Sequence, residues 1–139
     1  VGKRLDQAVR ARRKRQGVLD SPRRRVSFLV TETALVSRVA PVAVLVEQLR
    51  WLTRWCGHPR VSLGVIPTVS SLQVLPPPAF YLFEHKVYVE LPHGDLWLME
   101  RSNALKTYRG LLPRLAAAAV YGSDCALTPN LIHLHAQIC

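Results

Sequence analysis

The sequence predicts an α+β fold in which helices pack on a small, mostly antiparallel sheet, a β-meander. Three observations predict it. Three strand patterns follow one another over residues 79–100, joined only by links of hairpin length. Apolar residues recur at helical spacing after Pro41 and again after Ser102. With 139 residues, 49% of them hydrophobic, the chain is long enough to bury one core.

The N-terminal elements are a polar helix, a loop and a strand. Residues 3–16 carry Leu, Ala and Val at helical spacing without Gly or Pro, which predicts a helix with a narrow apolar face. Gly, Asp, Ser and Pro over residues 17–25 predict a loop. The apolar run at residues 26–31 is typical of a buried strand, and residues 32–39 are expected to turn into a short helix.

The central elements are a helix, a strand and a loop. After Pro41, apolar residues line one continuous helix face, which the Gly-His-Pro sequence at residues 57–59 ends. Residues 60–67 predict a strand. Consecutive prolines within residues 68–78 cannot donate to a sheet, so this segment is expected to be a loop.

The meander strands are expected at residues 79–84, 86–91 and 95–100. Because side chains alternate along a strand, Val87 and Val89 share one face of the middle strand.

A last helix is predicted from Ser102 to about Tyr121, and Pro113 inside it is expected to cause a kink or a break. The apolar positions of all these elements predict the core. The predicted core residues are Val42, Leu45, Leu49, Leu63, Val65, Phe80, Val87, Val89 and Leu112.

The positive charge is concentrated at the N-terminus. Residues 1–25 hold ten Lys/Arg and two Asp, a net charge of +8, whereas residues 26–139 hold nine Lys/Arg and seven Asp/Glu, a net charge of +2. Basic side chains at this density are typical of phosphate contacts, because each neutralised phosphate releases a counterion. The candidate phosphate contacts are Arg12, Arg13, Lys14, Arg15, Arg23, Arg24 and Arg25. The alternative is a solvated helix and loop, and the lack of aromatic residues before Phe28 gives base stacking no support.

Cysteine use and hydropathy indicate a cytoplasmic protein that does not enter a membrane. Three cysteines, an odd number at wide spacing, fit a reducing compartment better than a disulfide framework. The first residues are charged throughout and lack the apolar region of a signal peptide. No run reaches the roughly 18 apolar residues that a membrane helix needs.

Residue types that catalyse reactions or bind metals occur without the spacing that either function needs. His133, His135, Cys125 and Cys139 match no zinc-finger or zinc-ribbon spacing. Ser70 lacks a nucleophile-elbow context, and the scattered glycines form no phosphate-binding loop. We therefore expect no enzymatic activity, no catalytic residues, no metal site and no cofactor.

Large aromatic residues are the candidates for a contact surface. Trp51 and Trp55 lie on the central helix, and Trp97 lies on the third meander strand. Such residues either belong to the core or line an apolar pocket. Trp51 lies off the apolar stripe of its helix, which favours a surface role. The predicted partner- or ligand-binding residues are Trp51, Tyr88, Glu90 and Trp97.

Several short patterns follow one another in an order that matches one family. They are R-x-x-R-Q-x-x-L from Arg12 to Leu19, E-x-A-L from Glu32, Gln48-Leu49 on a helix, V-S-L-G-V-I-P ending at Pro67, an aromatic-rich strand at Phe80, a Y-x-E strand ending at Glu90 and a closing helix through Tyr108, Leu112 and Leu115. Over about residues 8–122 the chain resembles the C-terminal domain of unknown function that follows an Xre-type (Cro/C1-type) helix-turn-helix domain in actinobacterial transcriptional regulators.

The resemblance implies a cytoplasmic bacterial regulator in which this domain supplies sensing, dimerisation or contact with a small protein encoded nearby. It implies three segments: a basic helix and linker at 1–25 after a missing helix-turn-helix domain, a regulatory α+β domain at 26–122, and an irregular tail at 123–139. Within the first segment, Gln16 and Leu19 are expected to dock on the domain, and Arg23–Arg25 are expected to be solvated.

The predicted function is therefore a regulatory, effector- or partner-binding domain of a helix-turn-helix transcriptional regulator, without its DNA-binding half in this chain. DNA contact is expected only through that missing domain or weakly through the basic arm, and a homodimer is a further expectation. The alternative is a basic nucleic-acid-binding module that uses the N-terminal arginine-rich arm.

Overall fold

The structure, a computed structural model, describes residues 2–122 and confirms the α+β class. The chain divides into two compact units. The meander unit contains the residues up to Pro22 and the segment Leu72–Leu115, and the parallel-strand unit contains Arg23–Ser71 and the described residues from Ala116 onward. Residues 2–122 contain two small sheets, one in each unit, where the sequence predicted a single meander.

The described residues form four α-helices and six strands. In chain order they are α1 (Gly2–Gln16), β1 (Val26–Thr31), α2 (Glu32–Val36), α3 (Val42–Thr53), β2 (Val61–Ile66), β3 (Phe80–Leu82), β4 (Val87–Glu90), β5 (Leu96–Met99), α4 (Ser102–Ala116) and β6 (Val120–Tyr121). A 3-10 turn, Gly17–Asp20, follows α1 within the predicted loop. Every helix and strand predicted before residue 101 is present, and most are shorter than predicted.

The parallel-strand unit is built on the pairing of β1 with β2. All six residues of each strand pair in parallel register, from Val26 with Val61 to Thr31 with Ile66. Parallel strands need a long crossover between them, and α2 and α3 lie in that connection. On its other side β2 pairs antiparallel with β6, which makes β2 the central strand of the sheet.

Burial follows from this central position of β2. Val61, Leu63, Val65 and Ile66 are all buried, and Val65 is only 1% exposed. Such near-continuous apolar burial is typical of a strand that is covered on both faces. The crossover helix α3 adds Leu45 and Leu49, which are one helical turn apart and both buried.

Six of the nine predicted core residues are buried, so helical and strand periodicity identified most of the core. The six are Leu45, Leu49, Leu63, Val65, Val87 and Val89. The other three, Val42, Phe80 and Leu112, are half-buried. Val61, Ile66 and Leu115 are buried in addition to these six.

Gly64 in β2 lies between Leu29 of β1 and Tyr121 of β6. A Cβ atom on Gly64 would lie 2.6 Å from Cε1 of Tyr121 and 2.8 Å from Cδ2 of Leu29, closer than van der Waals contact allows. The Tyr121 ring thus occupies the space that the missing side chain leaves. Burial raises the pKa of the Tyr121 hydroxyl above its ordinary value.

The last helix is shorter than predicted, and the prediction of helix up to Tyr121 is wrong. α4 ends at Ala116, and Val120 with Tyr121 forms β6. Pro113 lies in the last turn of α4, where it cannot donate a backbone hydrogen bond. Pairing with β2 satisfies the backbone of Tyr121 opposite Gly64, and this tertiary pairing overrides the helix propensity of the alanine run.

The meander unit has β4 at the centre of its sheet, with β3 and β5 antiparallel on either side. Val87 and Val89 of β4 are buried on one face, as the alternation predicts. Phe80 pairs with Val89 and shares this face, and its ring lies 4.8 Å from that of Tyr108 on α4. The meander is therefore covered by α4 on its apolar face.

Short backbone hydrogen bonds close the first hairpin. The Phe83 N–H donates to the Lys86 carbonyl over 2.8 Å, which leaves Glu84 and His85 as the turn. The guanidinium of Arg109 on α4 donates to the Glu84 carbonyl, so the helix also holds the hairpin tip.

The second hairpin has the predicted three-residue link. Its Gly94 has φ +91°, a conformation that L side chains rarely adopt. The Gly94 N–H donates to the Leu91 carbonyl and the Leu91 N–H to the Asp95 carbonyl, each over 2.8 Å. This arrangement is typical of three-residue hairpins with glycine at the left-handed position.

Gly64→Ala is expected to destabilise the protein. The added methyl group would overlap Tyr121 and Leu29, and displacing them should cost about 1–3 kcal/mol. That cost exceeds the roughly 0.5–1 kcal/mol that alanine gains over glycine in a strand through lower backbone entropy. Urea denaturation followed by circular dichroism measures the change in the free energy of unfolding.

Gly110→Ala provides the matched control. Gly110 lies in α4, and nothing stands within 4 Å of the position that its Cβ would take. The same change should therefore raise the free energy of unfolding by about 0.8–1 kcal/mol through helix propensity. Equal effects of the two substitutions would contradict the steric role of Gly64.

Candidate functional site

The register of the meander separates its residues into two faces, because directly paired residues point to the same side. Tyr88 of β4 pairs with Tyr81 of β3 and with Leu98 of β5, and Glu90 pairs with Leu96. We call this the tyrosine face. It is opposite the apolar face that α4 covers.

Two arginines join α1 to the tyrosine face. Nη2 of Arg12 lies 2.9 Å from Oε1 of Glu90, an ion pair in which the Glu90 side chain is only 25% exposed. The Arg15 guanidinium stands 5.6 Å from the centre of the Tyr81 ring, within cation–π range. Residues three apart share one side of a helix, so both arginines of the R-x-x-R pattern face the sheet. Gln16, which was expected to dock, is exposed.

Tyr88 is enclosed by residues of its own hairpin. The Lys86 ammonium lies 5.5 Å from the centre of the Tyr88 ring and 6.0 Å from that of Phe83. The Phe83 ring meets Tyr88 edge-on at 5.9 Å. Tyr88 is accordingly half-buried, and both it and Glu90 already have partners within the meander unit.

Trp97 lies on the other face of the meander, because it pairs with the buried Val89. It is 60% exposed, and its neighbours Leu96 and Leu98 on β5 are exposed as well. Beside it an open groove of about 700 Å³ runs from the end of β5 to the first turn of α4. The groove is lined by Trp97, Leu98, Met99, Glu100, Arg101 and Ala104.

Trp51 belongs to the parallel-strand unit, at the end of α3. It is 40% exposed, and its ring meets that of Trp55 edge-on with the ring centres 5.6 Å apart. The Trp55 ring lies 5.1 Å from the His58 ring, so the three rings form one row. Within the meander unit, Trp97 and the Tyr88–Glu90 pair lie on opposite faces of the sheet, whereas Trp51 belongs to the other unit.

The predicted phosphate contacts divide into engaged and exposed residues. Arg12 and Arg15 bind the tyrosine face. Arg13 and Lys14 are exposed on α1, and Arg23–Arg25 are exposed before β1. Sequence reasoning missed the Arg12–Glu90 pair, although the helical spacing of Arg12 and Arg15 places them on one side of α1.

Within residues 2–122, His, Cys, Asp and Glu side chains nowhere form a group of three that could hold a metal ion. The candidate ligands His133, His135, Cys125 and Cys139 lie outside these residues. None of the helices described between residues 2 and 122 is long and apolar enough to cross a membrane.

These features define a small α+β domain with separate surfaces on its meander and on its parallel-strand unit. The chain belongs to the family described as Domain of unknown function (DUF5753), whose profile matches residues 2–126. The resemblance drawn from the order of the sequence patterns is confirmed to this extent. No curated protein and no solved structure matches the chain.

Arg12→Ala is expected to loosen α1. Residues 6–16 are all exposed, so little apolar burial holds this part of α1. Loss of a partly exposed ion pair, worth about 0.2–1 kcal/mol, should accelerate amide hydrogen exchange in α1 by up to about fivefold. Hydrogen-exchange mass spectrometry over Gly2–Gln16 measures the effect.

Arg13→Ala removes the same charge from the neighbouring, exposed position and should leave the exchange rates of α1 unchanged. Glu90→Gln should accelerate exchange in α1 as Arg12→Ala does. High salt should diminish the difference in exchange rate between either variant and the unchanged chain, because salt screens the ion pair. If Arg13→Ala accelerates exchange as much as Arg12→Ala, the ion pair does not hold α1.

Proposed function

We propose that this chain is the regulatory, partner-binding domain of a cytoplasmic helix-turn-helix transcriptional regulator of the Xre type, as found in actinobacteria. The DNA-reading helices would lie before α1, outside this chain. Two findings support the proposal: membership of the family over residues 2–126, and the order of patterns from R-x-x-R-Q-x-x-L to the closing helix. The proposal assigns the chain no reaction and no cofactor.

The observation that carries the proposal is the exposed edge strand β5. Within residues 2–122, β5 pairs with a strand on one side only. Leu96, Trp97 and Leu98 are consecutive apolar residues, and each is more than a third exposed. An edge of this kind is a template for another strand, because its outer backbone groups and both of its faces remain accessible.

The partner that best fits this edge is a small protein that adds an extended segment to β5. Backbone pairing would satisfy the outer N–H and C=O groups of the strand, and apolar side chains of the partner would cover Trp97 and Leu98. The adjoining groove carries Glu100 and Arg101 with opposite charges, so it has no net preference for an acidic or a basic partner. In the regulator, binding at β5 would be transmitted to the DNA-reading helices through α1.

The first test is to read the DNA sequence upstream of the codon for Val1 and the sequences of the neighbouring genes. The proposal expects a continuous helix-turn-helix frame before α1 and a nearby gene for a small protein. An upstream region that encodes neither would overturn the regulatory role.

Trp97→Ala in the full-length regulator is expected to weaken binding of that small protein at least tenfold, because exposed tryptophans at interface centres typically contribute about 2 kcal/mol or more. Binding of operator DNA should stay unchanged, since Trp97 lies on the meander and not on the DNA-reading helices. Isothermal titration calorimetry measures partner binding, and electrophoretic mobility shift measures DNA binding.

Trp51→Ala is the control, because it removes an exposed tryptophan from the parallel-strand unit and should leave partner binding intact. Loss of partner binding in both variants would contradict a docking surface at β5. Analytical ultracentrifugation tests whether a second copy of this chain covers β5. If Trp97→Ala abolishes a dimer of this chain, the second copy and not a separate protein binds there.

A further inference from the structure

The parallel pairing of β1 and β2 brings two arginine-containing segments together. Val26 and Val61 are the first residues of their strands and pair with each other. The Val26 N–H also donates to the Arg60 carbonyl over 3.0 Å. Arg25 therefore stands beside Arg60 at one end of the sheet, and Arg23–Arg25 are all exposed there.

The row of rings that begins at Trp51 on α3 ends at His58, close to the same end of the sheet. The Val61 N–H donates to the His58 carbonyl over 3.1 Å, which places His58 one turn before β2. The Arg60 N–H donates to Nδ1 of His58 over 3.3 Å and orients the ring. From His58 the row continues through Trp55 to Trp51, whose ring is 40% exposed.

Positive charge accompanies these rings. Residues 48–60 contain three arginines and no acidic residue. Arg50 is exposed in the last turn of α3, and Arg54 is exposed directly after the helix, where its N–H donates to the Trp51 carbonyl over 3.2 Å. The nearest acid along the helix is Glu47, one turn before Trp51. We call Arg23–Arg25 and residues 50–60 together the arginine–tryptophan surface.

We propose that the arginine–tryptophan surface binds single-stranded nucleic acid. Proteins that bind single strands combine cations that contact the phosphates with aromatic rings on which bases stack. The rings here are fixed by mutual contacts and by the His58 hydrogen bond, so little ordering is needed when a base arrives. The proposal lies within the parallel-strand unit and does not depend on the regulatory role proposed for the meander unit.

The surface differs from the N-terminal basic arm that the sequence analysis gave as the alternative nucleic-acid-binding segment. That arm lacks aromatic residues, and its Arg12 and Arg15 bind the tyrosine face. Both hypotheses include Arg23–Arg25. The basic-arm hypothesis combines them with Arg13 and Lys14, whereas the present proposal combines them with Trp51. The experiment therefore compares variants of Arg13 and Lys14 with variants of Trp51.

The binding test uses the 139-residue chain and a fluorescein-labelled oligothymidylate of about 15 nucleotides, within the usual site size. Fluorescence anisotropy at several salt concentrations gives the affinity and its salt slope. Replacing Arg23, Arg24 and Arg25 together by Gln should weaken binding at least tenfold and reduce the salt slope by about 2, since each single-strand contact contributes about 0.7. Circular dichroism checks that the variants fold.

The matched control replaces Arg10, Arg13 and Lys14 by Gln, which removes the same charge from exposed positions of α1. The proposal expects less than a threefold loss of affinity for this control. An equal loss in both triple variants would show that net charge alone attracts the oligonucleotide, and it would overturn the proposal.

Base stacking has its own test. Trp51→Ala should weaken binding of the oligothymidylate about tenfold, within the range measured for stacked bases, whereas Trp51→Phe should retain most of the affinity. Trp97→Ala, in the meander unit, should leave the affinity unchanged. The proposal is wrong if Trp51→Ala binds as tightly as the unchanged chain.

A competition experiment tests whether the surface distinguishes single-stranded nucleic acid from other polyanions. Unlabelled duplex DNA of the same length and poly-glutamate should each compete at least tenfold less well than the unlabelled single strand, because neither offers free bases to Trp51. If either competes equally well, the surface recognises charge alone and the proposal fails.

Discussion

The parallel pairing of β1 with β2 is the constraint on which the parallel-strand unit depends. Two strands can pair in parallel only if the chain crosses back between them, and α3 in this crossover buries Leu45 and Leu49. Pairing over all six residues also fixes the central strand, whose Val65 is the most deeply buried side chain of the unit. Because both strands run in the same direction, their first residues meet at one end of the sheet. The arginines before β1 and the segment His58–Arg60 before β2 therefore lie at the same end of the sheet as a consequence of the pairing, although more than 30 residues separate them in sequence.

The meander unit is held together by contacts of a different kind. Its strands are joined by tight hairpins, so their pairing is local and costs little loop-closure entropy. Helix α4 covers the apolar face through Tyr108 and holds the hairpin tip through Arg109. Helix α1, in contrast, is exposed from residue 6 to residue 16 and meets the tyrosine face through Arg12 and Arg15. Partly exposed ion pairs contribute little to stability, so α1 is the element of this unit that can separate from the sheet at the lowest cost. The proposed regulatory function would use this property, because it requires α1 to transmit binding at β5 to the DNA-reading helices.

Local patterns predicted the elements well, and non-local pairings account for what was missed. Hairpin-length links revealed the meander, and apolar periodicity located α3 and most of the core. The pairing partners of β1 and β2 could not be derived from strand patterns alone, because nothing in either run specifies the other. The prediction of helix up to Tyr121 failed for the same reason. The alanine run favours a helix locally, whereas Tyr121 pairs with Gly64 of β2, which is distant in sequence and leaves space for the Tyr121 ring. The Arg12–Glu90 pair spans 78 residues and was equally inaccessible.

The two exposed tryptophans are distinguished by the charges around them. Large aromatic side chains lose favourable burial when they remain in water, so their exposure is informative about binding. Trp97 stands beside Glu100 and Arg101, which together carry no net charge, on a strand edge whose backbone can pair with another chain. Trp51 is followed by a segment, residues 52–60, that contains arginines and no acidic residue, and its ring continues into a row of further rings. A neutral edge with apolar side chains selects a polypeptide, since strand addition requires backbone groups and no particular charge. A positive surface with stacked rings selects a polyanion that presents flat bases. The two proposals therefore assign two kinds of partner to two surfaces, each built within a single compact unit.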